Sequence, residues 1–275
     1  MAFEPETPLH LPPMEVAPDT FLLRSAQVGF AAPLSVHLNS LIIRGRQPVI
    51  VDTGIHSDRA AWLADMAAIV DPADVAWVFL SHDDDDHTGN LAEVLDLCRN
   101  ATLVTSWAAV ERMGSTLRVP PERMRWVGDG DSFDAGDRVL YAMRPPVFDS
   151  PTTRGLFDSR TGVYWASDAF ATPMPAQPVD HVAELDPSAW EEGISFFAHH
   201  ALSPWLSIVD PVRYQASVTR IERLNPTAIV SAHTPLISGS RLADAVRHIR
   251  CLVEDPPPPA PDQSVLEAVL AGVGH

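Results

Sequence analysis

The sequence predicts one domain of mixed α/β (α+β) class, with two similar halves built around mixed sheets and flanked by helices. Three observations lead there. Strand-like runs follow one another directly between residues 20 and 54, as antiparallel neighbours can. Beyond them strand and helix patterns alternate, as parallel crossovers require. No linker divides residues 20–254, so the expected organisation is an extended segment at 1–19, a domain at 20–254 and a proline-rich tail at 255–275.

The elements follow in order. TFLLRSA, LSVHLNSLIIRG and PVIVDTG read as strands separated by turn residues. Residues 57–70 carry helical spacing, with Ser57 as N-cap. VAWVFLS is a short apolar run, expected to be a buried strand. Residues 89–99 read as a helix, ATLVTS as a strand and residues 107–113 as a helix. DRVLYAMRPP and GLFDSRTGVYWASDAF open the second half, with a hairpin turn at 159–162. Residues 171–205 are irregular and rich in proline. A helix at 212–224, the strand TAIVSAH and a helix at 240–253 complete the pattern before DPPPPAPD ends it. Trp62, Trp77, Trp107, Trp126 and Trp165 sit within apolar patterns and are expected in the core.

Composition narrows the function. The 275 residues are 46% hydrophobic, enough for a sizeable core. With 19 Lys plus Arg against 36 Asp plus Glu, the net charge is -17. That balance argues against nucleic acid or an anionic membrane as partner, since both need a cationic face. Cys98 and Cys251 form no CxxC pattern, and MAFEPETPLHLPPMEVAP lacks the basic start and apolar run of a secretory signal. A reduced, cytoplasmic protein is the expectation.

Chemistry concentrates in SHDDDDHTGN, residues 81–90. Four consecutive aspartates repel one another unless a cation lies between them. On an extended loop His82, Asp84 and Asp86 point the same way, with His87 turning to a neighbouring position. Asp83 and Asp85 then face away or act behind the others. A solvated acidic loop is the competing reading, but it leaves the flanking histidines and the buried strand leading in unexplained. Asp52 ends VIVD, Asp168 ends VYWASD and His233 ends TAIVSAH, each at a strand terminus. Two imidazoles and two carboxylates begin two adjacent metal sites, and the later strand ends supply more donors. Gly54 and Gly89 serve backbone turns, and no phosphate-cradling or Ser-His-Asp arrangement is readable.

In this order and spacing VDTG, SHDDDDHTGN, ASDAF and SAHTP resemble the metallo-β-lactamase fold superfamily, covering roughly residues 20–253. The resemblance implies an αββα sandwich with metals at one edge of the two sheets. Most of its hydrolases carry HxHxDH. This chain reads HxDxDH, closer to the HxExDH of the flavodiiron and oxygen-binding di-iron branch, and LNSLII is similar to that branch's NSYLI segment. Carried over by residue, one metal is held by His82 and Asp84, the other by Asp86, His87 and His233, and Asp168 bridges them. Carboxylate in place of imidazole hardens the site and favours iron, with manganese or zinc as the other metals.

The branch supplies a further histidine to the first metal from the loop that here reads RPPVFDSPTTRG, which has none. Alignment on Ser150 puts Pro146 at that position. Asp149, three residues on, is the substitute that yields a still more oxygen-rich site. His37, His56, His199 and His200 are the other candidates, and a single-metal site is the alternative. Asp85 and His200 are the candidate catalytic residues, the latter from a segment where this fold covers the metal pocket.

Three functions are expected in order: oxidoreductase-type chemistry or binding of O2, NO or peroxide at a two-metal centre; hydrolysis of a lactone, thioester or phosphoester by a metal-activated water; and metal binding without turnover. The first requires an external electron donor, since no flavin domain is readable in this chain. A homodimer is expected by resemblance alone.

Overall fold

The computed structural model describes residues 8–28 and 34–272. One sheet runs in the order β1 (Leu9–Ala17), β2 (Thr20–Val28), β3 (Leu34–Ile43), β4 (Val49–Val51), β5 (Trp77–Phe79), β6 (Thr102–Thr105), β7 (Met124–Trp126). Its first four strands pair antiparallel and its last four parallel. The second sheet contains β8 (Ser132–Asp134), β9 (Val139–Met143), β10 (Gly155–Asp158), β11 (Val163–Trp165), β13 (Ala228–Val230) and β14 (Ile237–Ser238). There β11 and β13 are parallel, and the other pairs are antiparallel. A short β12 (Met174–Pro175) adds to β3.

The helices are α1 (Arg59–Ile69), α2 (Asp85–Thr88), α3 (Leu91–Leu97), α4 (Trp107–Met113), α5 (Pro187–Phe197), α6 (Pro211–Arg223), α7 (Arg241–Cys251) and α8 (Gln263–Gly272). Val49, Val51, Phe79, Val104, Leu140, Leu156 and Trp165 meet between the sheets. Trp62 and Met66 of α1 join Leu91, Val94 and Leu95 of α3 on the outer face of the first sheet. Trp190, Tyr214, Val218 and Ile249 from α5, α6 and α7 cover Tyr164 and Ile229 of the second. The αββα sandwich expected from the sequence is the architecture found. Its parallel strands VIV and AIV are buried on both faces, as sheets covered by helices require.

Several local expectations are corrected. Leu9–Ala17, left outside the domain at 1–19, pairs with β2 as an edge strand, where Pro12 and Pro13 are tolerated. The helix expected at 57–70 begins with a 3-10 turn, and Asp58 rather than Ser57 precedes α1. Within the irregular segment, Asp186 caps α5 by accepting from Ser188 and Ala189 N–H groups, with Pro187 at the first helical position. The proline-rich tail ends in the helix α8. Trp107 and Trp126 are 59% and 56% exposed, because the short elements carrying them lie at the rim of the first sheet. His248 is buried edge-on to Trp190. His275 lies outside the described residues. Both cysteines are free, and no helix among the described residues is long and apolar enough to cross a membrane.

Candidate metal centre

Four strands deliver their following loops to one place. The residues just past β4, β5, β11 and β13 are Asp52, Ser81-His82, Ser167-Asp168 and Ser231 to His233. Backbone hydrogen bonds tie these loops together: Ala232 N donates to Ser167 O at 2.9 Å, Asn39 N to Ala232 O at 2.9 Å and Arg154 N to Ser81 O at 2.8 Å. The Asn39 side chain donates to Ser231 O and Thr234 O. Asp52 and Ser167 hold φ of 57° and 53°, a costly backbone for residues other than glycine.

Seven of the nine sequence-predicted site residues gather there. His82 Nε2 lies 3.2 Å from Asp168 Oδ2 and 3.6 Å from both Asp84 Oδ2 and Asp149 Oδ2. His87 Nε2 lies 3.0 Å from Asp168 Oδ1 and 3.5 Å from Asp86 Oδ2. His233 Nε2 lies 3.2 Å from Asp86 Oδ2 and 3.4 Å from Asp168 Oδ1. Asp168 therefore turns one oxygen to each half of the cluster. The extended alternation predicted for the aspartate run holds as far as Asp84. Asp86 and His87 come from the helical turn α2, which swings them to the second half.

The other two residues stay apart. Asp85 is exposed and faces a neighbouring cleft with Thr88 and Arg112. His200 Nε2 donates to Pro258 O at 2.7 Å, and the ring packs on Phe196. Pro146 lines a different hollow with Arg144 and Trp205, while Asp149 occupies the cluster. His37 contributes its carbonyl, 2.8 Å from His233 Nδ1, and turns its ring to Val179 O. His56 is exposed beside Arg59, and His199 is buried behind α5.

The outer ring nitrogens are held by further groups. Asp52 Oδ2 lies 2.8 Å from His87 Nδ1, and the same carboxylate accepts from Ser81 N and Ser81 Oγ. His82 Nδ1 lies 3.2 Å from both Ser81 Oγ and Ser167 Oγ. Asp83 accepts from Arg112 Nε at 2.6 Å and from Thr152 Oγ1 at 2.8 Å, which ties the aspartate run to the loop carrying Asp149. Ser81, Ser167, Thr152 and the His37 carbonyl escaped the sequence reading. A signal exists for the first two, since each serine directly precedes a cluster residue at a strand end.

The inner atoms have no such partners. His82 Nε2, His87 Nε2 and Asp168 Oδ1 are buried without a hydrogen bond, a costly state that a cation would relieve. Burial opposes charge on His82, but Asp168 and Asp84 overcome it and lift its pKa to about 10. Burial is likewise outweighed at His87 by Asp86, Asp168 and Asp52, and at His233 by Asp168 and Asp86, so both are raised. Burial also opposes the charge on Asp168, whose carboxyl the three imidazoles hold well below the usual range. Desolvation and then Asp168 push Asp149 upward. Three sets of donors converge closely enough to share an ion: His82 with His87 and Asp168; Asp86 with His87 and His233; His82 with Asp84 and Asp149. The cluster can hold two adjacent cations, with oxygen and nitrogen donors only.

A family model, ODP family beta lactamase, matches residues 36–234. Diflavin flavoprotein A 2 of Nostoc sp. is 28% identical over 165 residues, 57% of this chain and 28% of the relative. The anaerobic nitric oxide reductase flavorubredoxin of Salmonella typhi is 22% identical over 174 residues, 63% of this chain and 36% of the relative. The chain thus spans well under half the length of these curated relatives. The metal-soaked Flv1 flavodiiron core of Synechocystis superposes with a TM-score of 0.72 at 16% identity, covering 90% of this chain and 62% of that one.

Proposed function

The chain belongs to the ODP family beta lactamases, and from that premise we propose that its cluster holds two metal ions, iron preferred, for oxidoreductase-type chemistry on O2, NO or peroxide. His82, Asp84 and Asp149 would hold one ion and Asp86, His87 and His233 the other, with Asp168 offering an oxygen to each set. Bound there, a redox-active pair would supply or accept electrons beside a small diatomic ligand. The observation that carries this reading is the set of buried inner atoms without partners, facing one another across two contiguous donor sets. The name of the Salmonella typhi relative, a nitric oxide reductase, supports the choice of substrate class.

The chain's own residues orient the centre. Asp52 holds His87 in the tautomer that frees Nε2, and the His37 carbonyl does the same for His233. The burial of His82, His87 and Asp168 keeps bulk water from the inner atoms.

Metal analysis of the purified chain tests this directly. About two iron per chain, with consumption of O2 or NO when a chemical reductant is supplied, is expected. Zinc alone, with turnover of a lactone or thioester panel, would move the chain to the metallo-hydrolase reading. His87→Ala is expected to lower metal content sharply, and full retention of metal by that variant would defeat the centre altogether.

A further inference from the structure

The two halves of the cluster are chemically unequal. Apart from the shared Asp168, the first half offers one imidazole, His82, and two carboxylates, Asp84 and Asp149. The second offers two imidazoles, His87 and His233, and one carboxylate, Asp86. His87 lies beside His82 and shares Asp168 with it, but its Nε2 also faces Asp86 Oδ2 at 3.5 Å, and beyond His87 no further imidazole reaches the first half among the described residues. His37 spends its Nε2 on Val179 O, His200 on Pro258 O, His56 is beside Arg59, and His199 lies behind α5.

Donor type sorts metals. Imidazole suits iron and zinc, whereas carboxylate and water suit manganese and magnesium. Mn2+ stands lowest in the affinity order of the first-row divalent ions, so a site admits it by weakening the advantage of its competitors. Exchanging nitrogen for oxygen donors does that, and only the first half has made the exchange. Asp84 also leaves its side chain 48% exposed, against 25% for Asp86, so the first half is the more open to water as an additional ligand.

Charge points the same way. Asp84, Asp86, Asp149 and Asp168 carry four negative charges, enough to offset two divalent cations. Two of the four belong to the first half alone and one to the second. The hardest and most anionic donor set is therefore on the side of Asp149. Thr153 Oγ1 donates to Asp149 Oδ1 at 3.0 Å, which leaves Oδ2 to face His82.

We propose that the centre is heterometallic, with Mn2+ selected by His82, Asp84 and Asp149, and iron held by Asp86, His87 and His233. This rests on the two-metal reading above and specifies the occupant of each half.

The test uses the full chain, stripped with a chelator and reloaded without oxygen in equal Mn2+ and Fe2+. Anomalous scattering recorded across the manganese and iron absorption edges locates each element in crystals. Metal analysis of the same protein in solution gives the ratio. The expected result is manganese at the His82 half, iron at the His233 half and a ratio near one to one. In Asp149→His the manganese content is expected to fall by about tenfold while iron rises to fill both halves. Should that variant fail to fold, the edge measurement on the natural protein decides alone. Iron in both halves, or manganese spread equally over both, overturns the heterometallic proposal and leaves the two-metal reading standing. Metal in neither half overturns both.

Discussion

Asp52 and His87 share a 2.8 Å hydrogen bond from ring to carboxylate at a position where both side chains are buried and Asp52 holds a left-handed backbone. The carboxylate also collects Ser81 N and Oγ, so it fixes the start of the aspartate run and the ring that follows it. Asp52→Asn keeps the shape and removes the charge. Metal affinity of the second half is expected to fall about 10–100-fold, as for other groups that orient a ligand from behind. A metal titration with two resolved binding steps checks it. Loss confined to the step that His233→Ala also removes identifies Asp52 as acting through His87.

Asp83 and Thr152 connect the two loops of the first half. Thr152 Oγ1 donates to Asp83 Oδ1 at 2.8 Å, and Arg112 holds the other oxygen. Thr152→Val removes the donor at almost constant volume and leaves Asp83 short of a partner, a cost of about 1–3 kcal/mol. The expected result is weaker binding in the first half alone, restored by Thr152→Ser. Equal weakening of both halves would show that Asp83 acts only on overall stability.

Without metal, three raised histidines make stability depend on pH. The folded pKa of His82 is about 10, above the unfolded value of 6.5. Its contribution is therefore complete below the unfolded value and disappears as pH rises to about 10; His87 and His233 act in the same direction. Metal-free protein is expected to lose thermal stability from pH 6.5 to 10. Metal requires neutral imidazoles, so its stabilising effect grows through the same range. Tm measured at several pH values with and without metal shows the two curves diverging. Parallel curves would mean that the imidazoles do not bind the ion.

Much of the fold was legible because its strands are short and wholly apolar, and because the cluster residues end them. VIVD, VFLSH, VYWASD and AIVSAH each join a buried run to a polar residue, which buried strands tolerate only at their ends. The place of Asp149 was harder to read. It depends on how RPPVFDSPTTRG bends, and the Asp83–Thr152 bond that sets the bend joins residues 69 apart in the chain. Alignment on Ser150 selected Pro146, although Asp149 is the residue at His82. The edge strand Leu9–Ala17 was hidden by its prolines, whose missing N–H groups matter little at a sheet edge. The helix α5 carried a legible signal in Asp186-Pro187, the same cap that opens α6 at Asp210-Pro211.

Gly89 shows how tightly the loop after β4 grips the aspartate run. Its N–H donates to Gly54 O at 2.9 Å, and Thr53 N and Oγ1 both donate to His87 O at 2.8 Å. A Cβ at Gly89 would sit 2.3 Å from His56 N and 2.7 Å from Gly54 O, both backbone atoms that cannot rotate away. The requirement is therefore close approach rather than an unusual φ, which is -57° here. Gly89→Ala is expected to cost about 1–3 kcal/mol or more, since overpacking must move one of the two loops. Because the displaced loops carry Asp52 and His87, the second metal should weaken together with the fold. Urea unfolding of the metal-free protein measures the first effect and a metal titration the second. A variant of unchanged stability would show that the loop past β4 is freer than its contacts with Gly89 and His87 require.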